Sequence, residues 1–223
     1  MAKVSYPKTR QERAKLYVHC MLEIKERLTA VNFLLDSPMP ALFKQETAYL
    51  QLRHICEVIA IACLAGQGDF KTQRAFTEEY SPPKIFNALR ESYPAFFPQP
   101  CEIRSENGEH HLTANAKPGA YDEAAVTALW NRSSDHLHRA SVKKYLSRAF
   151  GPPLPLDDIK KHVGGLILLL ESHVVSIQAG QQKTLLQVNL EDGSGGMEAH
   201  FLNIDMENAT IAVETFRGSV TRR

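Results

Sequence analysis

Between Ile55 and Ala65 the chain is apolar nearly all the way round a helix, and Glu57 is the one charge in that stretch. A helix without a polar face must be enclosed, either by the rest of a fold or by lipid. The uninterrupted runs Val58 to Ala65 and Leu166 to Leu170 fall well short of the ~20 residues that a bilayer crossing needs. The chain is therefore expected to surround this helix, over about 40–65 and stopped by Gly66-Gln67-Gly68, with other elements. A helical bundle is the simplest way to do so. Arg53 and Glu57, four residues apart on that central helix, face the same way. Burying either charge alone costs on the order of several kcal/mol. Two uses for them are open: a mutually satisfied pair that fixes packing, or a pair that reaches a cleft where Glu57 orients a cation or an imidazole.

Other helices follow from period and punctuation. Thr9 and Glu12 form a capping box. After it, Tyr17, Met21, Ile24, Leu28, Val31 and Leu35 recur at steps of four and three, one stripe on a long first helix, which Asp36-Ser37-Pro38-Met39-Pro40 stops. Ser81-Pro82-Pro83 opens a short helix ending near Ser92. Asp122 starts another, with Val126, Leu129, Trp130, Ser133 and Leu137 toward its neighbours. Val142 to Phe150 suits a short helix. A last one is expected from a cap at Asp157, with Ile159, Val163, Leu166, Leu170, Val174 and Ile177 as its stripe. Gly164-Gly165 inside it costs about 1 kcal/mol per glycine and predicts close approach by a neighbour.

Two regions break the helical period. Pro94, Pro98 and Pro100 exclude regular helix, and Asn107-Gly108 is a hairpin dipeptide between short extended runs, so 93–120 reads as an irregular excursion with a small hairpin. From Gly180 the period becomes two, through Leu186-Val188-Leu190, His200-Leu202-Ile204 and Ala209-Ile211-Val213. That predicts a three-stranded antiparallel meander. The expected fold is mainly α (α+β overall), a helical bundle at 1–180 with a meander appendage and tail at 181–223.

Lys and Arg number 26 against 25 Asp and Glu, a net charge of +1, which argues against a dedicated duplex binder but leaves room for a local basic patch. The four cysteines, Cys20, Cys56, Cys63 and Cys101, form no C-x-x-C pair and are expected as buried free thiols, which suits the cytoplasm. Met1 to Pro7 has no apolar leader core, and no membrane association is expected. His110-His111, near Glu109 and Cys101, is a poor metal candidate, because adjacent residues on a strand face opposite ways. No metal site or cofactor is expected. No phosphate-cradling glycine motif or G-x-S-x-G elbow occurs.

The densest chemistry lies at Leu129-Trp130-Asn131-Arg132-Ser133-Ser134-Asp135-His136-Leu137-His138-Arg139. Arg132 and His136 share a helix face, with Asp135 beside them. If the helix ends near Leu137, His138 can turn back toward Arg132. A guanidinium binds phosphoryl oxygens bidentately, and an imidazole moves a proton near neutral pH. The alternative is a solvated helix end in which Asp135 pairs with Arg132 or Arg139. Arg139, Lys143, Lys144 and Arg148 form a basic cluster just beyond, either a solvated face or a landing strip for an RNA backbone.

Arg132-Ser-Ser-Asp-His-Leu-His138, an arginine and a histidine with five residues between them on a late helix of a bundle, resembles the motif of the HEPN superfamily. The Arg132–His136 spacing does not fit that motif, and Ser133 stands where the family commonly has Asn, Asp or His. The resemblance covers about 10–180. It implies a helical, usually homodimeric protein, often a metal-independent endoribonuclease of toxin–antitoxin or antiphage systems. Arg132 and His138 would then act on the scissile phosphate while the ribose 2′-hydroxyl attacks, with His136, Asp135, Glu57 and Arg53 in support and Arg139, Lys143 and Lys144 along the RNA. A cognate antitoxin or regulatory protein would be the partner. The competing expectation is a non-catalytic structural or protein-interaction module.

Overall fold

The structure, a computed structural model, describes residues 7–67, 79–93, 95–106, 109–114, 117–137, 156–179, 182–191, 196–205 and 210–216. Helix α1 runs Arg10–Asp36 and opens with the capping box: the Glu12 amide donates to Thr9 Oγ1 at 3.1 Å, and the Thr9 amide returns to the Glu12 carboxylate at 3.0 Å. Its stripe from Tyr17 to Val31 is buried, and Leu35 is half-buried. A tight turn at Ser37 to Pro40 leads into α2, Ala41–Gln67.

Helix α2 is the enclosed one. Of Ile55 to Ala65 only Glu57, half-buried, and Ile61, exposed, escape full burial. Helix α2 is long and apolar enough to cross a membrane by length and composition alone, yet 67% of its most apolar window is buried inside the fold. The helix continues past the expected stop, because Gly66 lies flat against β3: an added Cβ would stand 3.2 Å from Ile177 and 3.3 Å from the Ser176 carbonyl. Helix α3, Pro82–Ser92, has its two prolines in the first turn and no side-chain bond at Ser81. Helix α4 runs Glu123–Leu137, with the Ala125 amide donating to Asp122 Oδ1 at 2.7 Å.

The last helix, α5, spans Asp157–Leu170. It differs from the expected helix at both ends. Asp157 is its first residue and Leu156 its cap. Val174 and Ile177 belong to a strand. A stripe at 170, 174 and 177 suits a helix, but His173, Val175 and Ile177 also alternate, and burial on both faces of that strand obscures the period of two. The expected short helix at 142–150 lies outside the described residues.

The sheet is larger than the expected three strands. Among the described residues it has six, all antiparallel, in the order β2-β1-β3-β4-β5-β6: β1 Gln99–Glu106, β2 Glu109–Ala114, β3 Ser172–Ala179, β4 Gln182–Asn189, β5 Glu198–Asp205 and β6 Thr210–Phe216. The expected meander is β4 to β6. The expected hairpin, β1 and β2, joins it through β3, with Gln99 opposite Val174 and Pro100 opposite His173. The expected boundary at 180/181 therefore falls inside the β3–β4 connection. One apolar core runs from Tyr17 and Ile59 through Leu129 and Leu166 to Val175, Leu186 and Phe201, so helices and sheet share an interior. All four cysteines are free and buried, and burial pushes the Cys20 thiol up to about 12. At the corner between α5 and β3, buried His173 meets the Tyr17 hydroxyl through Nε2 and the Leu170 carbonyl through Nδ1, both at 2.8 Å.

Candidate functional site

Helix α4 presents Val126, Leu129 and Ser133 to the core. At about 100° per residue, Trp130 and Ser134 flank that stripe on one side, and Arg132 and His136 flank it on the other. A polar cluster has formed along each flank.

On the first flank, Arg53 Nε donates to Glu57 Oε1 at 3.0 Å, and the Trp130 indole N–H donates to the same oxygen at 3.0 Å. His54 Nδ1 lies 3.2 Å from the other carboxylate oxygen. The Arg53 guanidinium sits over the Trp130 ring, 4.7 Å from its centroid, and also donates to the Ser134 hydroxyl. The Arg53 and Glu57 side chains are 21% and 15% exposed. The pair is thus closed on itself, and it bolts α2 to α4. It does not reach Arg132, which points to the opposite flank, so the expectation of a shared cleft is corrected here.

On the second flank, Arg132 Nη2 donates to Asp158 Oδ2 at 2.6 Å and also bonds the Tyr49 phenol. Its side chain is 47% exposed and that of Asp158 39%. The carboxylate that pairs with Arg132 is thus Asp158, on α5, and the alternative pairing of Asp135 with Arg139 lies outside the described residues. Tyr49, almost fully buried, stacks flat on His136 with centroids 3.8 Å apart. His162, one turn beyond Asp158, meets the rings of Tyr49 and Tyr121 edge-on, each at 6.2 Å. The Tyr121 hydroxyl bonds His162 Nδ1, while His162 Nε2 is buried with no partner among the described residues.

Tyr121 is held there by Gly165. Its amide donates to the Gly165 carbonyl at 3.1 Å, and an added Cβ on Gly165 would strike the Tyr121 ring at 2.2 Å. Of the two glycines expected to admit a neighbour, Gly165 does so, whereas Gly164 has open space beside it. Burial, with Arg132 and His136 nearby, lowers the His162 pKa, so this imidazole is neutral at pH 7. Burial raises the Tyr49 hydroxyl, which Arg132 opposes. A fixed cation, a phenol and two imidazoles can together bind an anion and move a proton.

Arg132, Asp135 and His136 thus stand on α4, and Arg53 and Glu57 stand apart from Arg132. His138, Arg139, Lys143 and Lys144 lie outside the described residues. The sequence reading missed Tyr49, Tyr121, Asp158 and His162. The i,i+4 spacing of Asp158 and His162 was a usable signal; nothing in the sequence marked the two tyrosines. The cleft of about 610 Å³ between α3 and α4 lies along the outer face of α4, where Arg90 is already bound to Glu123. Among the described residues no group of three or more His, Cys, Asp or Glu is placed to hold a metal ion. Comparison with family models, curated proteins and solved structures returns no match for this chain.

Proposed function

We propose that the chain is a HEPN-like RNA-binding protein that cleaves its RNA without a metal, acting in the cytoplasm within a bacterial stress or defence system. The observation that carries this reading is Arg132: half-exposed, permanently charged, and held by Tyr49 and Asp158 beside an imidazole on the same helix face. A guanidinium fixed in this way seats a phosphodiester. The resemblance gives the proton transfer to His138, with His136 and Asp135 in support, and sets Arg139, Lys143 and Lys144 along the backbone. Arg53 and Glu57 support the site indirectly, by holding α4 on α2.

Purified protein incubated with labelled single-stranded RNA should cleave it equally well with and without EDTA. Arg132→Ala should reduce cleavage by at least about 100-fold without lowering the melting temperature. A parent protein that leaves several RNAs intact after any copurifying partner is stripped away would overturn the nuclease reading.

The second reading, a non-catalytic interaction module, is favoured by apolar exposure where α1 meets α2: Phe33 is 78% exposed, Phe43 54% and Met39 43%. The same surface supports a homodimer. Light scattering at micromolar concentration should give twice the 25.0 kDa chain mass; a single-chain mass alone removes the dimer.

A further inference from the structure

One buried polar atom of the Arg132 cluster is left over among the described residues. Arg132 is held by Tyr49 and Asp158, and His136 lies on Tyr49. That atom is His162 Nε2, without a partner among the described residues, although burying a polar atom unmet is costly. The other nitrogen of the same ring is fixed by the Tyr121 hydroxyl. Tyr121 is in turn fixed by its amide bond to Gly165 and by the absence of a side chain there. A base oriented by a second group, with its working nitrogen left over, is how proton-transfer sites are built. The guanidinium and the imidazole meet the same Tyr49 ring, one through its hydroxyl and the other at its edge.

We propose that His162, oriented by Tyr121, is the proton acceptor of the Arg132 site, with an RNA phosphodiester as the substrate. This rests on the RNA-cleaving reading above, and it assigns to α5 a role that the sequence placed on His138. Asp158 occupies the guanidinium as a phosphate would, and it lies one turn from His162 on the same face of α5. A phosphodiester that takes Arg132 from Asp158 opens the edge of the cluster beside Nε2. The neutral ring donates Nδ1–H to the Tyr121 oxygen and accepts the 2′-hydroxyl proton at Nε2. The 2′-oxygen forms its bond to phosphorus as the bond from phosphorus to the 5′-oxygen breaks, and the departing oxygen takes a proton from water. No oxidant or metal enters the balance. The charged and titratable groups around His162 are Tyr49 on α2, Arg132 and His136 on α4, Asp158 on α5, and Tyr121 ahead of α4.

The test uses the full chain and a DNA oligonucleotide carrying one ribonucleotide, with binding followed by fluorescence anisotropy, cleavage by gel and folding by thermal melt. His162→Gln should bind within about twofold of the parent and melt with it, yet cleave at least about 100-fold more slowly and lose the acidic limb of the pH–rate profile. Tyr121→Phe should cleave about tenfold more slowly and keep that limb, displaced along the pH axis. If His162→Gln cleaves at the parent rate, proton transfer belongs to another group; the inference fails and the RNA reading stands. If binding, cleavage and melting all fall together, His162 is structural and the inference fails. If the parent neither binds nor cleaves RNA, both fail.

Discussion

Replacing Glu57 by alanine is expected to destabilise the protein by about 3 kcal/mol and to lower its melting temperature by roughly 9 °C. The carboxylate takes hydrogen bonds from the Arg53 guanidinium and the Trp130 indole and lies against His54. Alanine leaves a largely buried cation without its counter-charge and an indole N–H without an acceptor. Buried ion pairs broken from one side lose about 3–5 kcal/mol. The lower end applies because the two side chains keep 21% and 15% of their exposure, so water reaches part of the vacated site. The contact of Arg53 with the Trp130 ring and its bond to Ser134 survive and also soften the loss. Glu57→Gln, which keeps an acceptor for the indole, should lose about half as much. A Glu57→Ala protein that melts within about 2 °C of the parent would mean that the cluster does not bolt α2 to α4.

The second large effect is acid destabilisation through His173. Burial lowers its pKa from 6.5 to about 4, which the Leu170 carbonyl opposes. The folded-state value lies below the unfolded one, so between these two pH values the unfolded chain binds the extra proton. The contribution of the neutral ring is therefore fully present above pH 6.5, falls as the pH drops toward 4, and levels off below it. At about 1.4 kcal/mol per unit, the span corresponds to about 3 kcal/mol. His162, also lowered by burial, changes stability in the same direction. So do Glu12 and Glu79, whose carboxyls are lowered by backbone hydrogen bonds. His173→Asn keeps a donor for the Leu170 carbonyl but cannot titrate. It should be less stable than the parent at pH 7.5 and show a distinctly flatter loss between pH 6.5 and 4.5 in urea titrations. Equal slopes in the two proteins would remove His173 as the source.

The helices were legible in the sequence because their signals are local. The capping box at Thr9, the prolines at 82 and 83 and the apolar stripe of α1 each act within a turn or two. The enclosed α2 was legible because a helix without a polar face has few places to go. Strand β3 was not, because residues 174 and 177 fit a helical stripe as well as a buried strand, and only pairing with β4 decides between them. The candidate cluster around Arg132 was half legible. Arg132 and His136 stand out on one helix face. Their neighbours come from Tyr49, 83 positions earlier in the chain, and from Asp158 and His162 on α5. No short window holds all five. Arg53 and Glu57 were legible as a pair, but which flank of α4 they would grip depends on the rotation of that helix, which Leu129 and Ser133 set by burial.

The joint between β1 and β3 has a consequence for the order of folding. The hairpin of β1 and β2 and the meander from β3 to β6 pair strands that follow one another in the chain, so each can zip up early. Gln99 meets Val174 only after α4 and α5 have been threaded between them. Long-range pairing of this kind is slow, because chain entropy is lost before the contact rewards it. During synthesis the hairpin leaves the ribosome well ahead of the strand that completes it, and the β1 edge stays open for that interval. An open strand edge recruits other strands, so β1 is the place where nascent copies of this chain would stick to one another, and slower translation between residues 100 and 174 would lengthen the exposure.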